Sequence, residues 1–379
     1  MRIGVPRETD PTETRIALTP ESTERLVGLG LEVVLEPGLG EGLQWEDGLY
    51  TSAGGKVVDR EELIGSSDIL LRVRKPPLDE VKRMRSGAVH ASFLDPFNER
   101  PLIEAMAASD IRAFSMEMIP RSTAAQKMDA LSSQHSLAGY YMVVLAAERL
   151  GKALPMMMTP AGTIQPARVF VIGAGVAGLQ AIATAKRLGA RVEGFDTRPV
   201  VAEQVESLGA RFLRIDLGET GQTEQGYARE LTPEQKRLQQ EGMTEACARS
   251  DIVVTTAQLF GKPAPRVMTR SMLKAMKPGA VVVDYAVESG GNVEGSVPGE
   301  EVRIEGVRVI GLKNYPGRVA RDASRMYANN LFYLVDALWD REKGVLDFDR
   351  NREISTGALI TADGKIVNPV LQKHFGLDR

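Results

Sequence analysis

The sequence predicts an α/β protein of two domains, each built on a mostly parallel, doubly wound sheet. Short apolar runs of strand length alternate with amphipathic helical patterns, and glycine and proline mark the joints between them. The 379 residues correspond to two or three domains and are enough to bury a core in each. Such alternation of strand and helix is typical of parallel sheets covered by helices.

The first zone covers residues 1 to about 136. It has strand-like runs at Leu31–Leu35, Ile69–Val73 and Ala88–Leu94, and a helical pattern at Glu21–Leu29. This order predicts an α/β domain with a mostly parallel sheet. The zone contains no glycine-rich nucleotide motif.

The second zone, residues 137–321, shows the alternation more clearly. A helix is predicted at Leu137–Leu150, a second at Leu179–Leu188 with Gly189 behind it, and a third with Pro199 near its first turn. Six runs are predicted as strands: Val169–Ile172, Arg191–Phe195, Phe212–Ile215, Ile252–Val254, Val281–Val283 and Val307–Ile310. The zone therefore predicts a doubly wound parallel sheet.

The third zone begins near Asp322 with an amphipathic helical pattern formed by Met326, Leu331, Leu334, Val335 and Leu338. Two short strands follow, 358–360 and 365–367, joined by an Asp363-Gly364 turn. We expect this zone to return to the first domain, which would then be discontinuous. The predicted domains are residues 1–136 plus 322–379, and residues 137–321.

One segment interrupts the pattern. Asp216–Thr232 is rich in Gly, Glu, Gln and Thr, and it is long for a loop inside a compact domain. A functional or mobile loop and a tolerated surface insertion explain this composition about equally well.

Composition excludes several classes of function. The formal net charge is −3, whereas a protein whose main partner is nucleic acid or anionic lipid favours a basic surface. Three histidines and one cysteine argue against a disulfide framework, a zinc ribbon and a thiol redox pair, and we predict no metal site. No apolar run reaches the length of a bilayer span, and the N-terminus lacks the apolar segment of a signal peptide. A reducing cytoplasm fits these features.

The most specific motif is a G-x-G-x-x-G sequence at Gly173–Gly178. It follows a predicted strand, opens a predicted helix, and precedes an acidic residue at the end of the next strand, which is the context of a dinucleotide-binding turn. Gly173 would permit the tight turn, Gly175 the approach of a pyrophosphate, and Gly178 the packing of helix on strand. Val176 and Ala177 would offer backbone N–H groups at the helix N-terminus.

Asp196 bears on the choice of cofactor. A carboxylate there accepts hydrogen bonds from ribose hydroxyls and repels a 2′-phosphate, which favours NAD(H) over NADP(H). A helix-capping role is the alternative, and Thr197-Arg198-Pro199 would suit it. Arg198 weakens the preference for NAD(H), because an arginine in this turn can pair with a 2′-phosphate.

The candidate reaction site is a polar segment, Met118–Gln134, that follows an apolar run. Arg121, Gln126, Asp129 and Ser132 form a dense set of hydrogen-bonding groups, which suits the carboxamide and ribose of a nicotinamide nucleotide. A purely structural hypothesis competes with this one, in which Thr123 and Gln126 form a capping box and Ser132 is a helix cap. From the residues alone, neither the binding hypothesis nor the structural hypothesis is favoured.

A family resemblance adds to these arguments. Gly4–Glu8 (GVPRE) and Glu13–Pro20 (ETRIALTP) are similar to the N-terminal signature shared by alanine dehydrogenases and nicotinamide nucleotide transhydrogenases. Further segments resemble the transhydrogenase branch: Arg121–Ser133, Pro155–Thr159, Gly173–Lys186, Gly261–Pro265 and Ala286–Asn292. The resemblance covers essentially the whole chain, and it is closest to the NAD(H)-binding components of proton-translocating transhydrogenases.

The resemblance implies two Rossmann-like domains separated by a cleft. Arg121, Gln126, Asp129 and Ser132 would hold the nicotinamide, and Gln126 would also reach toward a partner component that carries NADP(H). Hydride would pass directly between the two nicotinamide rings, so the site would position them rather than act as an acid or base. Further residues are predicted to bind the cofactor: Thr197, Ala257, Gln258 and Leu259, with Gly226 and Tyr227 in a mobile loop that closes over it.

The same resemblance implies a homodimer that docks on membrane-spanning subunits, where protons pass. The protein would thus be peripheral on the cytoplasmic face of the inner membrane.

Two other functions stay open. An alanine dehydrogenase would need a substrate arginine and lysine, for which Arg15 and Lys75 stand at plausible positions, and a catalytic histidine. Phe93 occupies the expected histidine position, and His90 is nearby but offset along the strand. The second alternative is a non-catalytic NAD(H) sensor that closes its lid and binds a partner.

Overall fold

A computed structural model of the chain describes residues 1–216, 218 and 232–377. The chain divides into two compact units: unit 1 consists of Met1–Gln134 with Gly317–Arg379, and unit 2 of His135–Pro316. The division into domains at residues 136 and 321 stays a prediction, and this division into units supports it.

Nineteen strands occur among these described residues. In chain order they are β1 (Arg2–Val5), β2 (Glu32–Leu35), β3 (Lys56–Val57), β4 (Ile69–Leu71), β5 (Val89–Ser92), β6 (Arg112–Ser115), β7 (Met157–Thr159), β8 (Gly162–Ile164), β9 (Arg168–Ile172), β10 (Arg191–Phe195), β11 (Arg211–Phe212), β12 (Ile252–Thr255), β13 (Val281–Asp284), β14 (Glu301–Ile304), β15 (Val307–Ile310), β16 (Trp339–Asp340), β17 (Val345–Leu346), β18 (Leu359–Ala362) and β19 (Lys365–Ile366).

The α-helices within the described residues are α1 (Pro20–Gly28), α2 (Asp47–Ser52), α3 (Arg60–Ser66), α4 (Leu78–Val81), α5 (Arg100–Ala108), α6 (Ala130–Leu150), α7 (Val176–Arg187), α8 (Ala202–Ser207), α9 (Pro233–Arg249), α10 (Arg270–Ala275), α11 (Ala320–Leu338), α12 (Arg352–Ala358) and α13 (Pro369–Phe375). No helix in residues 1–216, 218 and 232–377 is long and apolar enough to cross a membrane.

Unit 1 is built on an eight-stranded sheet in the order β19-β18-β6-β5-β4-β1-β2-β3. The strands from β6 to β3 are parallel, and β18 and β19 add an antiparallel hairpin at one edge. Successive residues alternate between two apolar clusters: Val33 and Leu35 pack on one side, and Val34 on the other. Both faces are thus covered, as the near-continuous apolar runs of the sequence predict.

The turn of the C-terminal hairpin agrees with the sequence pattern, although the first strand is Leu359–Ala362 instead of 358–360 and the second is Lys365–Ile366 instead of 365–367. Asp363 and Gly364 have φ angles of 49° and 75°, the left-handed values that a two-residue hairpin turn requires. β18 pairs with β6, so residues after 317 return to the sheet of unit 1.

Unit 2 is built on a seven-stranded sheet in the order β11-β10-β9-β12-β13-β15-β14. The first six strands are parallel. The order of the strands changes direction at β9, which has β10 on one side and β12 on the other. Val169 and Val171 pack in one apolar cluster, and Phe170 and Ile172 in the other. Both sheets are mixed and mostly parallel, which confirms the predicted α/β class with two Rossmann-like domains.

Several predicted elements need correction. Strand β14 is antiparallel and was not predicted, because its residues Glu301–Ile304 are half exposed at the sheet edge and two of the four are charged. The predicted strand Phe212–Ile215 is only Arg211–Phe212. The helix predicted at Leu137–Leu150 begins earlier, at Ala130. Met326, taken as part of the apolar face of α11, is exposed.

Candidate functional site

The predicted site residues fall in both units, and each group is described by itself. In unit 2 the glycine motif links β9 to α7, as its sequence predicts. Gly173 has a φ of 97°, a left-handed value that favours glycine. A Cβ on Gly178 would lie 1.9 Å from the carbonyl oxygen of Gly173, so only glycine lets the helix approach the strand this closely. Gly175 differs from both, because a Cβ there would meet no atom within 4 Å.

The space in front of Gly175 lies at the N-terminus of α7. Gly175 is the N-cap residue, and no side chain among the described residues caps the helix. The first N–H groups of the helix, from Val176, Ala177 and Gly178, are therefore available to an anion such as a pyrophosphate. The turn has the shape and the unpaired donors that a dinucleotide cradle needs.

Behind the turn, α7 is packed against α6. A Cβ on Gly139 would lie 2.2 Å from the carbonyl oxygen of Ala177. The first turn of α7 is thus fixed by backbone contacts on both its strand side and its helix side.

Asp196 lies at the end of β10, as predicted, but its carboxylate is already engaged. Oδ2 accepts a hydrogen bond of 2.8 Å from the N–H of Ala174, which ties Asp196 to the glycine turn. Arg198 donates to both oxygens, from Nε and Nη2, at 2.9 Å each. The backbone N–H of Arg198 donates to Oδ1 at 2.9 Å, so part of the predicted capping behaviour is also present. A ribose would have to compete with the Arg198 guanidinium for this carboxylate.

The segment after β12 carries Ala257, Gln258 and Leu259, which are half-buried. The side chain of Asn292 holds this segment at both ends. Its Oδ1 accepts from Ala257 N–H at 3.0 Å, and its Nδ2 donates to the carbonyl oxygens of Ala257 and Pro265 at 2.8 Å each. Asp284, fully buried, accepts in turn from the backbone N–H groups of Asn292 and Val293 at 3.1 Å. This loop is therefore fixed by the side chain of Asn292, which lies 35 residues after Ala257 and 27 after Pro265.

The polar segment of unit 1 is attached to the core by its apolar residues. Ala125 and Met128 are buried in the unit 1 cluster, whereas Arg121 and Gln126 are exposed. A 3₁₀ helix, Gln126–Met128, leads directly into α6. The segment thus presents its polar side chains to the outside of a well-packed base.

Asp129 and Ser132 are brought together by a helix cap. Asp129 Oδ1 accepts from the N–H of Ser132 at 2.9 Å, and Oδ2 accepts from its hydroxyl at 2.5 Å. Asp129 is therefore the N-cap of α6, which corrects the structural alternative that assigned capping to Ser132 and a capping box to Thr123 and Gln126. The sequence holds the signal that was missed, since an aspartate precedes the apolar helix.

The remaining predictions are limited by what the structure describes. Gly226 and Tyr227, in the predicted mobile loop, lie outside the described residues. Thr197 is half-buried beside Asp196. Among the residues that are described, no group of three or more His, Cys, Asp or Glu side chains is arranged to hold a metal.

The residues that an alanine dehydrogenase would use are engaged elsewhere in unit 1. Arg15 is 4% exposed and donates to both oxygens of Glu13 and to Gln134 Oε1. Lys75 forms an ion pair with Glu99. The ring centroids of Phe93 and Tyr327 are 5.1 Å apart.

His90 does not supply the catalytic histidine that an alanine dehydrogenase would need. His90 is fully buried in β5, with Nε2 2.9 Å from the hydroxyl of Ser92. Burial and the nearby charge of Arg72 lower the pKa of His90 to about 3, so it stays neutral. It is a packed strand residue rather than an accessible acid or base.

Comparisons with known proteins agree with one another. The profile of the alanine dehydrogenase/PNT N-terminal domain matches residues 4–138, and that of the C-terminal domain matches residues 142–369. The chain is 43% identical to the first part of NAD(P) transhydrogenase subunit alpha from Rhodospirillum rubrum, over 98% of this chain and 99% of that one. It is 30% identical to an alanine dehydrogenase from Halomonas elongata, over 100% and 98%. The crystal structure of a transhydrogenase from Sinorhizobium meliloti superposes with a TM-score of 0.84 at 42% identity, covering 98% of this chain and 100% of that one.

Proposed function

Because this chain belongs to the alanine dehydrogenase/PNT family, we propose that it holds NAD(H) for direct hydride exchange with NADP(H) on a separate component. Its function is that of an NAD(P) transhydrogenase alpha subunit, as the identity of 43% across nearly the full length of a relative so named indicates. The proposal goes further and assigns the parts of that function to residues. The observation that carries it is the glycine turn, whose open face and uncapped helix N-terminus fit a dinucleotide pyrophosphate.

In unit 2, the N–H groups of Val176, Ala177 and Gly178 are proposed to bind the pyrophosphate, and Asp196 to bind ribose hydroxyls. The ion pair between Arg198 and Asp196 supports the preference for NAD(H), because a guanidinium that is paired with Asp196 is less available to bind the 2′-phosphate of NADP(H). The backbone of Ala257–Leu259, fixed by Asn292, would line the same cofactor.

In unit 1, Arg121, Gln126, Asp129 and Ser132 are proposed to hold the nicotinamide. The nicotinamide supplies the hydride chemistry when bound, and the chain supplies orientation. Holding two reactants about 3–3.5 Å apart lowers the activation barrier by a large amount, and this effect needs no proton transfer. Exposure of Arg121 and Gln126 supports a ring presented outward, where a second ring on another component can reach it.

Among the partners, other transhydrogenase subunits are implied by the name of the Rhodospirillum rubrum relative, which designates one portion of an alpha subunit. We propose an NADP(H)-binding component, membrane-spanning subunits that conduct protons, and attachment through them to the cytoplasmic face of the inner membrane. We propose a homodimer as well.

The direct experiment is reconstitution. The purified chain is mixed with an NADP(H)-binding component of a transhydrogenase, NADH and an oxidised NADP analogue, and reduction of the analogue is followed by absorbance. Transfer is expected only when both components are present. If saturating conditions give no transfer although NADH binds, the protein is an NAD(H) sensor instead.

A substitution separates positioning from simple folding. Gln126→Asn shortens an exposed side chain by one methylene, so NADH affinity and thermal stability should stay close to those of the wild type. Hydride transfer should fall by about 10- to 100-fold, since small errors of position are costly. Transfer at the wild-type rate would remove Gln126 from the reaction.

The alanine dehydrogenase alternative has its own test. Because Arg15 and Lys75 are paired with Glu13 and Glu99, they offer no free cation to an amino-acid carboxylate. We expect no reduction of NAD⁺ at any alanine concentration. Steady turnover with alanine would require this assignment to be replaced.

A further inference from the structure

Before α6, the polar segment that we propose to hold the nicotinamide has a short 3₁₀ helix, Gln126–Met128, and its backbone is held in place by a distant helix. Ala125 and Met128 attach it to the core through apolar contacts, which are non-directional. Hydrogen bonds from α11, about two hundred residues later in the chain, supply the missing direction.

Asn330 is the central residue of this arrangement. It is 7% exposed, and its amide forms two hydrogen bonds to the segment. Nδ2 donates to the carbonyl oxygen of Lys127 at 2.8 Å, and Oδ1 accepts from the hydroxyl of Ser133 at 2.8 Å. One planar amide therefore fixes two points of the chain at once.

These two points lie beside three of the four predicted reaction residues. Lys127 directly follows Gln126, and Ser133 directly follows Ser132, with Asp129 between them. The hydrogen bonds of Asn330 thus fix the 3₁₀ turn on one side and the first turn of α6 on the other. A shift of Asn330 would move Gln126 and the Asp129–Ser132 pair relative to each other.

Two further contacts from α11 act in the same direction. Gln134 Nε2 donates to the carbonyl oxygen of Ala323 at 3.1 Å, while its Oε1 accepts from Arg15 at 2.9 Å. The ammonium group of Lys127 lies 5.0 Å from the centroid of the Tyr333 ring. Along α11, residues 323, 330 and 333 therefore all face the segment.

We propose that Asn330 is a positioning residue for hydride transfer, acting through the backbone of Lys127 and the side chain of Ser133. The inference rests on the proposed function, because it assigns a purpose to the rigidity of this segment. It also gives the returning C-terminal zone a role in the reaction as well as in the fold.

The test compares two neighbouring asparagines of α11. Asn330→Leu keeps the number and branching of the side-chain heavy atoms and removes both hydrogen bonds. Asn329→Leu is the matched control, because Asn329 is half-buried and, within the described residues, its side chain accepts from Arg25 Nη1, away from the segment. Ser133→Ala removes one of the two bonds and covers the case in which Asn330→Leu does not fold.

Three measurements are made on each variant. NADH affinity is taken from nucleotide fluorescence with the chain alone, and hydride transfer from single turnovers with the NADP(H)-binding component. Trypsin cleavage after Lys127 reports directly on how firmly the segment is held. We expect Asn330→Leu to slow transfer by about 10- to 100-fold, Ser133→Ala to slow it less, and both to change NADH affinity by less than about threefold. Cleavage after Lys127 should be faster than in Asn329→Leu.

The outcomes separate the two proposals. Absence of transfer in the wild type contradicts the proposed function, and the cleavage comparison still decides whether Asn330 holds the segment. Wild-type transfer rates in Asn330→Leu overturn the inference. So does an equal loss of transfer in Asn330→Leu and Asn329→Leu that follows their melting temperatures, because that result indicates general destabilisation.

Discussion

At the scale of single residues, Asp196 is paired with Arg198, so the ribose that we propose to bind there would compete with the guanidinium. Within the described residues, the Asp196 carboxylate accepts hydrogen bonds from Ala174 and Arg198. Asp196→Ala should weaken NADH binding by about 10- to 100-fold, because a hydrogen bond to a charged group contributes about 1.5–3 kcal/mol. Arg198→Ala should leave NADH affinity equal to or higher than that of the wild type, because it releases the carboxylate. Fluorescence titration with NADH measures both.

The same pair predicts a difference between cofactors. Asp196→Ala removes the repulsion of a 2′-phosphate, and it also frees the Arg198 guanidinium to pair with one. Affinity for NADPH relative to NADH should therefore rise in Asp196→Ala. Unchanged affinities for both nucleotides would show that Asp196 serves only the glycine turn.

Glu13 provides a pH-dependent term in the stability of unit 1. Burial alone would raise its pKa, but hydrogen bonds from Arg15 and the charges of Arg15 and Arg74 lower the pKa to about 2. Since the pKa is lower in the folded than in the unfolded state, this stabilisation is complete above about pH 4.5 and is lost as the pH falls toward 2. Denaturant unfolding between these values should show a steeper pH dependence for the wild type than for Glu13→Gln. Equal slopes would contradict this assignment.

At the scale of elements, the three glycines of the β9–α7 turn predict different phenotypes. Gly175 has a φ of −82°, which any residue adopts, and open space where a Cβ would point. Gly175→Ala should therefore keep the wild-type melting temperature but lose about tenfold or more in NADH affinity, because the methyl group would occupy the place that we propose for the pyrophosphate. Gly178→Ala should lose both, since its Cβ would overlap the Gly173 carbonyl.

Calorimetric melting and NADH titration of the two variants form the comparison. Normal NADH binding in Gly175→Ala would show that the pyrophosphate lies elsewhere. A stable Gly178→Ala would contradict the close helix–strand contact.

The elements also show which features a sequence can predict. Strands buried on both faces, such as β9 and β12, are evident as apolar runs, and the β18–β19 turn as Asp-Gly. The edge strand β14 was not predicted, because its half-exposed and charged residues do not form an apolar run. The helix α6 was predicted to begin late, since its first turn is polar and its cap had been assigned to Ser132 instead of Asp129.

The residues that hold the candidate site in place could not be predicted from local sequence patterns. Asn330 and Asn292 each hold a loop that is distant in the chain, at Lys127 and at Ala257, through side-chain hydrogen bonds to backbone. An isolated asparagine in a helix or a glycine-rich turn carries no sign of such a partner. The residues predicted to touch the cofactor could be proposed from motifs and resemblance, whereas the residues that position them required the fold.

At the scale of the whole molecule, the homodimer that we propose would need an interaction surface, and unit 2 offers a candidate. The β7–β8 hairpin is exposed along its entire length, and it carries Met156, Met157, Met158 and Ile164. Met158 is 74% exposed. Met157 and Ile164 are cross-strand neighbours in the hairpin. Exposed apolar side chains that lie together are typical of an interaction site, and methionine side chains adapt well to a partner surface. We propose that the hairpin packs against a second copy of the chain.

Met158→Glu tests this surface, because it would bury a charge in the dimer and cost more than the apolar contact provides. The variant should sediment as a monomer at concentrations where the wild type is a dimer, while its melting curve stays cooperative. Met326→Glu is the matched control, since Met326 is also exposed but lies on α11 of unit 1. It should remain a dimer. A monomeric wild type would refute the homodimer itself, whereas a dimeric Met158→Glu would place the interface on another surface.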